Sequence, residues 1–156
     1  MTKNFLLLIS LLKAYSVKKV IVSPGTTNIN LVARLQQDDF FEVYSAVDER
    51  SACYMACGMA AESGEPVMLS CTGATASRNY IPGLTEAFYR KLPVLAVTSG
   101  APVYKAGHLI PQVLDRTSPL NDMVKVSVQV ACFQNADEQW AATIQINKAL
   151  MALRQE

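Results

Sequence analysis

Histidine is nearly missing from this chain, which carries a single one, His108, alongside a single tryptophan. With one imidazole, a histidine-rich metal centre has no ligand set. The four cysteines, Cys53, Cys57, Cys71 and Cys132, fall inside apolar segments and not at metal-ligand or disulfide-framework spacing, so they read as reduced core thiols. The sequence also lacks G-x-G-x-x-G, G-x-x-x-x-G-K-[ST] and G-x-S-x-G, which excludes ordinary dinucleotide and nucleoside-triphosphate sites and the nucleophile elbow of a serine hydrolase. Excess charge is lacking too. Fourteen basic residues against 13 acidic ones leave a formal charge of +1, so neither nucleic acid nor an anionic membrane is expected as a partner. No apolar run is long. Phe5 to Leu12, behind Lys3, imitates a short export signal, but no small-x-small cleavage site follows it and it falls far below the roughly 20 residues of a membrane span. A buried first helix in a cytoplasmic protein is the expectation.

What remains is a chain of 156 residues, the size of one domain, long enough to remove roughly 70% of its unfolded surface from water. Its pattern alternates helix and strand. Helices are expected at Asn4 to Tyr15, Asn28 to Gln37, Glu49 to Glu62, Thr75 to Tyr89 and Ala136 to Leu153, with Ser63 and Gly64 closing the third. Strands are expected at Lys18 to Gly25, Phe41 to Val47, Glu65 to Gly73, Leu92 to Gly100 and near Lys125 to Val130. Several of these strands are continuous apolar runs, as a parallel sheet covered on both faces requires, so the fold class is α/β, doubly wound and mainly parallel. In such sheets ligands sit beyond the carboxyl ends of the strands. The loops SPGTTN, VDERS, CTGATASRN and TSGAPVYKAGH should therefore gather into one site.

Glu49 stands out among them. It lies in AVDERSACYMACGMA, where an apolar strand gives way to a helix of small and apolar residues, with Asp48 and Arg50 beside it. Charge at such a junction is costly unless it is used. A carboxylate there can stabilise a helix start, or it can be a placed acid whose pKa is pulled up by burial and down by the helix terminus.

The run from Asp48 to Gly100, with SPG at Ser23 to Gly25 and GHLIPQ at Gly107 to Gln112, closely resembles the pyrimidine-binding (Pyr) domain of thiamine-diphosphate-dependent enzymes. The likeness is strongest to the acetolactate synthase group and to the menaquinone-pathway synthase that joins succinic semialdehyde to isochorismate. It implies a thiamine-diphosphate-binding fold spanning residues 1–156 as a single domain. It also implies that Glu49 bonds the ring nitrogen N1′ of the cofactor's aminopyrimidine and relays a proton there. Pro24 and Gly25 align with a turn near the cofactor's reactive end, Thr72, Gly73 and Asn79 with the loop lining the pyrimidine, and His108 and Gln112 with substrate positions. The chain departs from the acetolactate pattern by reading T-G-A-T-A-S-R-N for S-G-P-G-A-T-N and by placing His108 where threonine is usual, which implies a different substrate choice. Family members hold the diphosphate through Mg2+ on a G-D-G motif in a PP domain, and this chain has no GDG. The resemblance thus implies a PP-domain partner, on the same parent chain or as a separate subunit, a 2-oxo acid substrate, and a decarboxylase or carboligase activity. A fold retained as a non-catalytic interaction module is the alternative. Small residues at near-helical spacing (Ala52, Cys53, Ala56, Cys57, Ala60, Ala87) suggest a face that packs against a second copy, hence a homo-oligomer.

Overall fold

A computed structural model describes residues 3–116 and 118–154. Four strands, β1 (Lys19–Val22), β2 (Glu42–Ser45), β3 (Val67–Thr72) and β4 (Val94–Ser99), form one sheet in the order β2-β1-β3-β4, and each neighbouring pair is parallel. The α/β class is confirmed. Successive side chains point to opposite faces of a strand, and the two rows find different helices. Val20, Val22 and Met68 meet Leu12 of α1 (Lys3–Ala14), Leu31 and Leu35 of α2 (Ile29–Gln36), and Ile146 and Leu150 of α5 (Ala136–Ala152). Ile21, Val67, Leu69 and Cys71 meet Ala52, Cys53 and Ala56 of α3 (Glu49–Ser63) and Leu84 of α4 (Ile81–Tyr89). Both faces are covered, which is why β1 and β3 could be apolar without alternation.

The expected helix from Thr75 to Tyr89 divides. A 3-10 turn over Thr75–Tyr80 precedes α4, in whose first turn Pro82 sits. Proline has no N–H to give, so it suits a helix start and not a helix middle. The expected strand at Lys125 to Val130 is not a strand: residues 124–130 alternate half-buried valines with exposed polar residues, yet no ladder joins them to β4. Alternation supplies a face to bury but not the neighbour's hydrogen bonds. β4 is therefore the sheet's edge.

The small residues of α3 and α4 also correct an expectation. Ala52, Cys53, Ala56, Cys57, Ala60 and Ala87 are all buried within this chain. They let α3 approach α4: the Cys53 thiol donates to the Tyr80 carbonyl at 3.7 Å and the Cys57 thiol to the Gly83 carbonyl at 3.3 Å. A methyl group placed on Gly83 would stand 2.6 Å from Cys53 Sγ. The face is used internally and is not free for a second copy. Among the described residues no helix is long and apolar enough to cross a membrane.

Candidate functional site

The chain passes from β1 through α2 to β2 on one side, then crosses to β3 on the other side of β1. Because α2 covers one face and α4 the opposite one, the loops leaving β1 and β3 diverge and open a crevice at the carboxyl edge, the place where doubly wound sheets bind ligands. A cavity of about 240 Å³ occupies it, lined by Thr26 and Thr27 after β1, Thr72 and Gly73 at the end of β3, and Ser99 and Gln112 on or beyond β4. A larger hollow of about 470 Å³, between α1 and the end of α2, lies towards the amino edge of β2 and outside this arrangement.

Asn28 fixes the first loop. Fully buried, it accepts from the Gly25 N–H at 2.9 Å and donates to the Ser23 carbonyl and to Ser70 Oγ on β3, each at 3.2 Å. A β-carbon on Gly25 would collide with the Thr72 methyl, so glycine is what lets this turn lie against the end of β3. The Thr27 hydroxyl reaches across to the Ser99 carbonyl at 2.7 Å, and the Gly73 N–H donates to the same oxygen at 2.5 Å. Three loops are thus tied around one carbonyl.

Beyond β2, the helix start is capped by Asp48, not by Glu49. The Asp48 carboxylate accepts from the Ser51 N–H at 2.6 Å, and its bonds with Ser51 hold that carboxyl below the usual carboxylate range. Glu49, half-buried at the first helical position, is left free of the cap and accepts a hydrogen bond from Asn79 Nδ2 at 3.0 Å. Asn79 arrives on the 3-10 turn that follows β3.

The residues singled out from sequence therefore fall into two groups. Glu49 and Asn79 form a bonded pair, while Thr72, Gly73 and Gln112 line the cavity. Pro24 and His108 are exposed and line neither, and Gly25 serves as the close approach just described. Leu109 and Gln112, on either side of Ile110 and Pro111, hold φ values of 55° and 63°, a conformation uncommon outside glycine and frequent where a loop is shaped for function. Arg116, Asn28 and Thr27 were not foreseen. Arg116 donates through Nη1 to Thr98 Oγ1, and its guanidinium lies against Gly73 and Gly100. Nothing periodic marks a loop arginine; Asn28 at least closes a turn-rich SPGTTN run.

Residues 5–120 match the family model described as thiamine pyrophosphate enzyme, N-terminal TPP binding domain. The 2-succinyl-5-enolpyruvyl-6-hydroxy-3-cyclohexene-1-carboxylate synthase of Bacteroides thetaiotaomicron is 34% identical over 149 residues, covering 96% of this chain and 27% of that protein. The synthase of the same name from Listeria innocua is 34% identical over 122 residues, covering 78% of this chain and 21% of that protein. The chain thus spans about a quarter of the length of these curated relatives. Among solved structures, a thiamine diphosphate-dependent 4-hydroxybenzoylformate decarboxylase from Rhodococcus jostii superposes with a TM-score of 0.79 at 22% identity, covering 96% of this chain and 27% of that one, a likeness of fold.

Proposed function

Because the chain belongs to the thiamine pyrophosphate enzymes, as their N-terminal TPP-binding domain, we propose that it supplies the half of a thiamine diphosphate site that activates the cofactor's aminopyrimidine, within a 2-oxo acid decarboxylase or carboligase. The observation that carries this reading is the Glu49–Asn79 pair. Asp48 takes the capping duty, so the Glu49 carboxylate has no structural task at the helix start and stands half-buried, bonded to Asn79 of the turn that follows β3. A carboxyl held in that way can hold and return a proton at a ring nitrogen. The Asn79 amide, donating to Oε2, fixes the orientation of the group and leaves Oε1 for a ligand.

The residues present fit the pyrimidine half of the cofactor: a placed carboxylate, a cavity of about 240 Å³ and a glycine floor at Gly73. When bound, thiamine diphosphate supplies a carbon nucleophile and an electron sink for cleavage beside a carbonyl. Thr72 and Gly73 shape the cavity wall, and Gln112, which lines the same cavity at a positive φ, is in this reading the residue that meets the substrate. In this reading the diphosphate and its Mg2+ belong to a PP domain, on the same parent chain or on a partner subunit, and the chain alone takes up thiamine diphosphate weakly.

In the assembled enzyme, Glu49→Gln is expected to lower turnover at least a hundredfold, about the lower end of general acid–base contributions, with the melting temperature little changed. The amide keeps the shape and cannot cycle the proton. Turnover within a few-fold of the parent would remove Glu49 from the relay.

A further inference from the structure

The last helix carries two apolar faces. Ala142, Ile146 and Leu150 of α5 are buried, and Ile146 and Leu150 belong to the core shared with α1 and α2. Away from that face Trp140, Ile144 and Met151 stand 68%, 43% and 52% exposed. A helix turns about 100° per residue, which brings positions 140, 144 and 151 within about 40° of one another along roughly 16 Å of its length. A surface helix is ordinarily polar on the side turned from the core. Here that side holds the chain's only tryptophan in a row with two aliphatic side chains, and the exposed Asp137 and Lys148 flank the row. An aromatic anchor in an apolar row with a charged rim is the composition of a contact centre.

Size and place together say what covers the stripe. Three side chains in one row offer far less than the ~800 Å² per partner that a stable interface between free proteins buries, so two copies meeting only there would not hold together. A tethered segment needs much less area, because a short tether keeps its effective concentration near the millimolar range. The last turn of α5 is pinned to the end of α1: Arg154 Nη2 donates to the Tyr15 carbonyl at 2.7 Å, and the guanidinium lies over the Tyr15 ring. The matched family model is an N-terminal domain, and this chain covers 27% of the Bacteroides thetaiotaomicron relative. The larger part of such a protein therefore follows the domain and sets out from that pinned turn, beside Met151.

We propose that the Trp140–Ile144–Met151 stripe is the docking face for the polypeptide that follows this domain in the parent chain, taking an apolar surface of it in an intrachain contact. The inference rests on family membership and on the geometry of α5, not on the Glu49 relay, so the turnover of Glu49→Gln does not bear on it.

The test compares the chain alone with the assembled enzyme through acrylamide quenching, the emission lost in Trp140→Phe isolating the Trp140 signal from that of any other tryptophan. Quenching of Trp140 is expected to fall about threefold or more on assembly, since a docked contact excludes water from its centre. Equal quenching in the two states would overturn the proposal. Trp140→Ser should leave the melting temperature of the chain alone unchanged and lower that of the assembled enzyme by about 3 °C or more. A matching loss in the chain alone would show that Trp140 serves the domain's own packing and would sink the docking role. Ile144→p-benzoylphenylalanine, irradiated in the assembled enzyme, identifies the occupant. Crosslinks within one chain to peptides beyond residue 156 are expected; crosslinks to residues 1–156 of a second copy would assign the stripe to an oligomer contact instead, and crosslinks to a separate subunit would remove the tether.

Discussion

Deleting the Asn28 amide would strand three groups at once: the Gly25 N–H, the Ser23 carbonyl and the Ser70 hydroxyl, around a side chain that is fully buried. A buried polar group left without a partner costs about 1 to 3 kcal/mol, so Asn28→Ala is expected to lose about 2 to 3 kcal/mol in urea unfolding at an unchanged denaturant slope. Asn79→Ala is a different case. Its partner Glu49 is half-buried and can turn to water, so stability should fall by less than about 1 kcal/mol, while turnover of the assembled enzyme falls because the carboxylate is no longer oriented. Calorimetry and kinetics on the same variant would show the split; equal losses in Asn28→Ala and Asn79→Ala would contradict it.

At the scale of elements, the contact between α3 and α4 is set by Gly83. Adding one methyl there drives it onto Cys53 Sγ, 2.6 Å away, and overpacking of this kind costs typically 1 to 3 kcal/mol, here about 2. Gly83→Ala should therefore be destabilised by that amount, and Cys53→Ala, introduced with it, should recover only part of the loss, because the β-carbon it keeps would still stand 2.7 Å from the added methyl. Additive losses in the double variant would show that the crowding lies elsewhere. The same elements show what the sequence could carry. The apolar runs of β1 and β3, the Asp48 and Gly64 signals of α3 and the turn residues of SPGTTN each state a local preference, and local preference agrees with the fold at those places. Glu49 was legible because a charge interrupts an apolar context. The failures are of another kind. Residues 124–130 have a strand's alternation but no ladder, and the small residues of α3 look free until α4 is seen lying on them. Arg116 was invisible for the same reason: its meaning comes from Gly73 and Gly100, distant in sequence and adjacent in space.

The whole molecule should respond to pH from both sides. Burial pushes the Cys71 thiol up to about 11 and also raises the Tyr80 hydroxyl, while both ionise nearer their ordinary 9.0 and 10.0 once exposed by unfolding. Between those values the folded state holds protons that the unfolded state has released. Stability is thus full below pH 9 and declines as pH rises towards 11, by on the order of 2 to 3 kcal/mol for Cys71 alone. Melting curves from pH 8 to 11 would show it, and Cys71→Ala should flatten the slope. On the acid side, Asp38, held down by Lys13, Asp48, held down by Ser51, and Glu65, held down by Lys19, contribute above the ordinary carboxylate range, and their contribution is lost as pH falls through it. Asp48 and Glu65 are exposed and Asp38 is only half-buried, so the acid limb should be shallow and weaken with salt.

The strand order β2-β1-β3-β4 also sets a ranking in time. Amides of β1 and β3 face a neighbour on either hand, whereas those on the outer side of β4, half-exposed along its whole length, meet no strand. Opening an edge needs only a local fluctuation; opening the centre needs the domain to unfold. In deuterium oxide the label should therefore enter β4 and β2 from their outer rows within the shortest intervals and reach Ile21 and Leu69 last. The crevice, built on the ends of β1 and β3, would keep its shape through most of the fluctuations the molecule undergoes.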